Sequence, residues 1–382
     1  MSELQADQYI AEACAQTGLD DFGNDSFQEG LRVYCQSVTA EAHLNDIGQM
    51  AIPANIVGSL ANRLRIVDWA NHHPDVADEH IQAPLVVIGM FRAGTTFLSY
   101  LLERDPANRA LLSWEAGDSV PPPTLATLYQ GPRVEARRAG NDMLEMLNPQ
   151  LGAIHHEEPD GPTECIAVMS QDFKSLTWEA ISNVPTYGRW LRGTDQRSAY
   201  EYHRLALQVL QSGGARGRWT LKSPHHAIAL DALTSVYPDA QLVLLHRDPL
   251  ELCASVCSLI TSLSGTFSDA DHRAYIAKHW VDTLAESITR IDAFRAAHPE
   301  HPIIDVQYND LVRQPVDTVE AIYRRPLDAA TRAAMATYVA ANPKGSRGRH
   351  GYDLADFGLN RAELRERFAG YVQRYQIPNE SH

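Results

Sequence analysis

The chain has 382 residues, 44% of them hydrophobic and 21% charged. That balance excludes a disordered polymer and fits one large α/β domain with insertions, or two domains. A formal net charge of −15 argues against a nucleic-acid partner or an anionic membrane surface, so an anionic ligand would have to be held by local donors.

In chain order, "MSELQADQYIAEACAQ" is acidic and helical in pattern and lacks the basic and apolar regions of a signal peptide. Residues 1–80 read as a helical N-terminal extension, because "SFQEGLRVYCQSVTAEAHL" and "PANIVGSLANRLRIVDWANHH" repeat apolar residues at three- and four-residue spacing. Residues 81–382 then read as one α/β domain. A first strand is expected at Pro84–Ile88 and a helix from about Gly94 to Glu103. The stretch 115–215 carries a triple proline and the polar loop "GAIHHEEPDGPTEC", and is expected to shape an acceptor pocket. Its Trp178, Tyr187 and Trp190 suit an apolar or lipidic acceptor, or simply a core.

Regular order returns with a strand at 218–222, a helix at 225–236, a strand at 241–246 and a helix at 249–260. A long helix to about 297, a short strand in "HPIIDVQY" and helices near 315–325, 328–340 and 361–375 complete a parallel sheet flanked by helices. The five cysteines (Cys14, Cys35, Cys165, Cys253, Cys257) include no C-x-x-C pair. A disulfide framework and a zinc site are therefore not expected, whereas a reducing, cytoplasmic setting is. No run reaches the eighteen apolar residues of a membrane span.

Three loops carry chemistry. In "GMFRAGTTF", two glycines between strand and helix let backbone N–H groups and the helix dipole converge on an anion. The spacing is nearly that of a nucleotide-hydrolysing loop, but Thr95 stands where the lysine belongs and the cation, Arg92, precedes the second glycine. A tight packing turn is the plainer alternative. In "LLHRDPLELCAS", Arg247 ends a strand and Ser255 lies two turns into the next helix, so the pair could hold a second phosphate or be an ordinary ion-paired arginine and helix serine. Asp248 before Pro249 reads as a helix cap. In "WTLKSPHH", Lys222 ends another strand, and His225 and His226 follow.

Taken together, these loops resemble the sulfotransferases that use 3′-phosphoadenosine 5′-phosphosulfate, and within them a bacterial group with an R-x-G-T-T loop. The first family motif is matched by Arg92, Ala93, Gly94, Thr95 and Thr96, and the second by Arg247 and Ser255. "YNDLVRQP" and the basic glycine loop "KGSRGRHGYDLADFGL" follow in family order. The resemblance, which runs from about 84 to 359, implies a P-loop-like fold and sulfuryl transfer to a hydroxyl of a small molecule or lipid without a metal ion. It implies that Arg92–Thr96 grip the 5′-phosphosulfate, Arg247 and Ser255 the 3′-phosphate, and Arg347 and Gly348 close over the nucleotide. Phe97 is suggested to stack near the adenine. Arg92 and Lys222 would balance charge on the leaving oxygen.

Two departures stand out. Ala93 replaces a hydroxyl residue, and Phe91 stands where the bacterial group has proline. The general base is expected, in order, at Glu115, at His226 (or His225), or in the cluster His155, His156, Glu157, Glu158. A P-loop small-molecule kinase and a nucleotide-binding protein without catalysis are the alternatives, and a homodimer is left open.

Overall fold

The computed structural model describes residues 4–154, 157–343 and 353–380. Five strands form one parallel sheet: β1 (Leu85–Gly89), β2 (Asn108–Ala110), β3 (Arg218–Ser223), β4 (Gln241–His246) and β5 (Ile303–Gln307), in spatial order β2-β3-β1-β4-β5. β1 is buried along its whole length, as an uninterrupted apolar run requires when helices cover both faces of a parallel sheet. Successive side chains point to opposite faces. Accordingly Leu85, Val87, Val243 and Leu245 enter one apolar cluster, and Val86, Ile88, Leu242 and Leu244 the other.

β1 pairs with β3 on one side and β4 on the other, with Ile88 opposite Ser223 and Gly89 opposite Leu245. This register brings the C-terminal ends of three strands level. The later strands lie on both sides of β1, β3 and β2 on one and β4 and β5 on the other, and such a switch in strand order opens a crevice at the C-terminal edge.

The sheet and flanking helices match the expected class, with differences at weakly patterned points. β2 has three residues, too few to show alternation, and was not expected. The helix expected over 225–236 is a 3-10 turn at Pro224–Ile228 followed by a helix at Leu230–Val236. The helix expected over 361–375 breaks at Phe368 into Arg361–Arg367 and Ala369–Tyr375.

Three helices precede the sheet: α1 (Ala6–Thr17), α2 (Ser26–Glu41) and α3 (Asp46–His72). They contribute Ala13, Leu31, Ile56 and Leu60 to the cluster that also holds Leu85 and Val87. A buried ion pair ties α3 to the stretch between β2 and β3: Arg63 Nη1 lies 2.9 Å from Asp172 Oδ1, with side chains 1% and 0% exposed. Asp172 Oδ2 also accepts from Ser198 Oγ at 2.7 Å. The Arg63 guanidinium sits over the Tyr202 ring at 4.5 Å.

Removing one partner of such a pair leaves the other charge buried without compensation. Asp172→Ala is expected to lower stability by about 3–5 kcal/mol, read as an earlier midpoint in denaturant titration. An unchanged midpoint would show that the pair contributes nothing.

Candidate active site

The crevice at the C-terminal edge opens into a cavity of about 450 Å³. Its polar wall is the loop after β1. Arg92 has a φ of +68°, a left-handed conformation uncommon for a side-chain-bearing residue. Gly94, with a φ of +96°, starts the helix α4 (Thr95–Glu103). A side chain on Gly94 would place its Cβ 2.8 Å from the Tyr308 ring, and one on Gly89 would meet the Thr95 methyl. Both glycines are therefore demanded by close approach. The amides of the first turn of α4 have no partner within the helix and face the crevice mouth, an anion-binding arrangement.

Arg92, Ser255 and Arg247, far apart in sequence, meet here. Arg92 Nε donates to Ser255 Oγ at 2.9 Å, and Arg247 Nη1 donates to the Arg92 carbonyl at 2.9 Å. The Arg247 guanidinium covers the Tyr308 ring at 4.2 Å. Arg92, Gly94, Thr95, Thr96, Phe97, Arg247 and Tyr308 all line the cavity. Ala93 does not: its side chain is fully buried in the core and its N–H bonds the Met90 carbonyl at 3.1 Å. Phe97 stacks on Tyr338 at 6.3 Å between centroids.

Lys222 at the end of β3 is 3% exposed. Its Nζ donates to Thr96 Oγ1 at 3.4 Å and to Glu164 Oε1 at 3.3 Å. Glu164 lines the cavity and was not singled out in the sequence. It is placed by Cys165, whose N–H donates to the Lys222 carbonyl at 2.9 Å. That bond joins the stretch between β2 and β3 to the strand end.

The acids and bases ranked in the sequence lie elsewhere. Glu115 is fully buried, paired with Arg109 and accepting from the Leu112 N–H at 3.0 Å. This carboxylate does not line the cavity. His225 and His226 are 0% and 1% exposed. Tyr200 OH lies 2.8 Å from His226 Nδ1, and neither histidine lines the cavity.

Burial pushes His225 down to about 3, with Arg290 adding to the effect, and holds His226 well below the ordinary histidine value. Both stay neutral, as does His203, lowered to about 3 by burial. Glu157 accepts from Ser113 Oγ at 3.1 Å, and Glu158 donates its N–H to Tyr100 OH at 3.2 Å. His155, His156, Arg347 and Gly348 lie outside the described residues. Trp178 and Tyr187 are buried core residues, and Trp190 donates to Glu29 at 3.0 Å.

The remaining cavity wall is mostly apolar, with Asn342 as a polar exception. Leu259, Ile260 and Leu263 come from the helix Pro249–Gly265, joined by Ile166, Val312 and Val339. Among the described residues no group of three or more His, Cys, Asp or Glu side chains is placed to hold a metal ion, and no helix is long and apolar enough to cross a membrane.

Three of the buried histidines, His203, His225 and His226, generate a pH dependence of folding. Each takes up a proton in the unfolded chain near the ordinary value of 6.5 but remains neutral when folded. Their contribution is therefore intact above about pH 6.5 and is lost progressively as pH falls toward 3. The melting temperature is expected to fall steadily between pH 7 and pH 5, and a flat profile over that window would contradict this assignment.

Comparison with known proteins adds the lineage. A sequence model described as "Sulfotransferase family" matches residues 84–326. Curated proteins of similar sequence include the omega-hydroxy-beta-dihydromenaquinone-9 sulfotransferase Stf3 of Mycobacterium bovis and that of Mycobacterium tuberculosis. Each is 23% identical over 252 residues, which is 63% of this chain. The match spans 62% of the length of these relatives. Among solved structures, sulfotransferase STF9 from Mycobacterium avium is 30% identical with a TM-score of 0.90, over 100% of this chain and 99% of that one. Sulfotransferase STF1 from Mycobacterium tuberculosis H37Rv is 33% identical with a TM-score of 0.86, over 97% of this chain and 100% of that one.

Proposed function

The chain belongs to the sulfotransferase family, and on that premise we propose that it transfers a sulfuryl group from 3′-phosphoadenosine 5′-phosphosulfate to the hydroxyl of an apolar, lipid-like acceptor. The observation that carries the reading is Lys222, whose Nζ bridges Thr96 of the anion loop and Glu164 at the wall of a largely apolar cavity. One cation thus touches both the loop that would hold the donor and the carboxylate that would face the acceptor.

The residues fit such a donor. Gly94, held so close to the Tyr308 ring that a Cβ would not fit, opens the first turn of α4, whose free amides would suit an anion. Arg92, Lys222 and Arg247 supply positive charge in a chain of net charge −15. Bound there, the donor would supply the sulfuryl group.

The chain's own side chains do the rest. Glu164 takes the proton of the acceptor hydroxyl. Lys222 balances the carboxylate and, with Arg92, offsets negative charge that develops on the leaving side. Leu259, Ile260 and Leu263 exclude water and favour an acceptor whose hydroxyl sits on an aliphatic chain. The substrate named for the curated relatives, omega-hydroxy-beta-dihydromenaquinone-9, supports that acceptor class.

Transfer of labelled sulfate from the donor should be measured without added metal over long-chain alkanols, phenols and sugars. Labelling of the long-chain hydroxyls is expected, and labelling of sugars alone would overturn the acceptor reading. Glu164→Gln should lower turnover on the order of 10²–10⁴-fold while leaving the affinity for adenosine 3′,5′-bisphosphate near that of the wild type. Full turnover in that variant would remove Glu164 from the role of base. Thermal stabilisation by adenosine 3′,5′-bisphosphate in the absence of metal is the companion measurement. Stabilisation only by ATP with Mg²⁺ would replace the proposal with a kinase.

A further inference from the structure

The segment after the last helix returns to the donor edge of the sheet. Glu380 Oε1 accepts from Arg247 Nε at 2.8 Å, and Glu380 Oε2 accepts from Arg247 Nη2 at 3.0 Å. The Glu380 N–H donates to Asp248 Oδ2 at 3.0 Å. Asp248 is itself fixed, because its Oδ1 caps the following helix through the Leu250 N–H at 3.0 Å and its two oxygens accept from Arg365 at 2.9 and 2.8 Å. Glu380 is thus docked at two points, side chain on Arg247 and backbone on Asp248.

We propose that Glu380 is an internal competitor for the donor's 3′-phosphate: its carboxylate holds the edge of Arg247 that the phosphate needs, and it must leave for the nucleotide to bind fully. The inference rests on the donor assignment made above. A fork of two parallel N–H groups is the geometry with which arginine grips a carboxylate or a phosphate, so the two anions compete for the same edge. The rest of the guanidinium cannot substitute for that edge. Nη1 is engaged by the Arg92 carbonyl at 2.9 Å, and the ring of Tyr308 covers one face at 4.2 Å. Both side chains of the pair are 13% exposed, so solvent screens the contact less than it would a surface pair.

The mechanical cost of release is small. Tyr371 and Ile377 are each 6% exposed and packed in the core, and Gln307 Nε2 donates to the Tyr375 carbonyl at 2.8 Å. The anchor therefore ends at Ile377, beyond which, among the described residues, Pro378 and Asn379 are exposed and Glu380 makes the contacts given above.

The test is calorimetric titration of the full chain with adenosine 3′,5′-bisphosphate and with adenosine 5′-monophosphate, which lacks the 3′-phosphate. Glu380→Ala and Glu380→Gln are expected to keep a cooperative melting transition, at a slightly lower temperature, and to bind the bisphosphate about 5–10-fold more tightly, as loss of a charged competitor at one arginine allows. Their affinity for the monophosphate should be unchanged. Equal or weaker bisphosphate binding in both variants, with Arg247→Ala still losing affinity, would overturn the competition while leaving the donor assignment intact. Bisphosphate binding by Arg247→Ala as tight as the wild type's would overturn the donor assignment at Arg247 and the competition with it.

Discussion

Arg247 is the point on which the architecture of the edge depends. Its guanidinium reaches the Arg92 carbonyl, lies on Tyr308 and is met by Glu380. It thereby joins the ends of β1, β4 and β5 and the segment after the last helix. A chain of net charge −15 can present cations to an anion only by gathering a few of them where backbone amides already point outward. The parallel register, with the strand ends level on either side of β1, makes that gathering geometric. The tolerance is narrow, since Tyr308 leaves no room for a Cβ at Gly94.

The same environment sorts chemically identical groups into different tasks. Glu115 and Glu164 are both near the edge of the sheet, yet Glu115 is sealed against Arg109 and Glu164 opens on the cavity beside Lys222. The buried pair of Glu115 and Arg109 orders the turn at Leu112, whereas the pair of Glu164 and Lys222 sits at the cavity wall. Desolvation acts likewise on the histidines after β3. It keeps His225 and His226 neutral in a buried position, and neither lines the cavity.

Much of the fold was legible because it rests on periodicity. The apolar runs at 85–89 and 241–246, the four-residue rhythm of α2 and α3, and the strand-end positions of Lys222 and Arg247 all follow from local pattern. The glycine spacing around Gly89 and Gly94 was legible for a similar reason, since a close approach leaves its mark on a single residue type. Asp248 was read as a helix cap and is one, because the capping bond spans two residues. The three-residue β2 and the breaks at Ala229 and Phe368 were not legible. They depend on neighbours that a window of sequence does not contain.

By itself, then, the sequence determined which residues could meet an anion: a glycine loop with a displaced cation, a strand-end arginine with a serine two turns on, and a lysine at a third strand end. These are local arrangements, and a strand or helix carries its own geometry along the chain. Only the tertiary structure decided which acid stands beside Lys222, that Ala93 turns its methyl into the core, and that Glu380 returns to Arg247. Each of these is a contact between segments far apart in sequence, and such pairings are set by how the helices pack on the sheet, a property no single stretch of sequence contains.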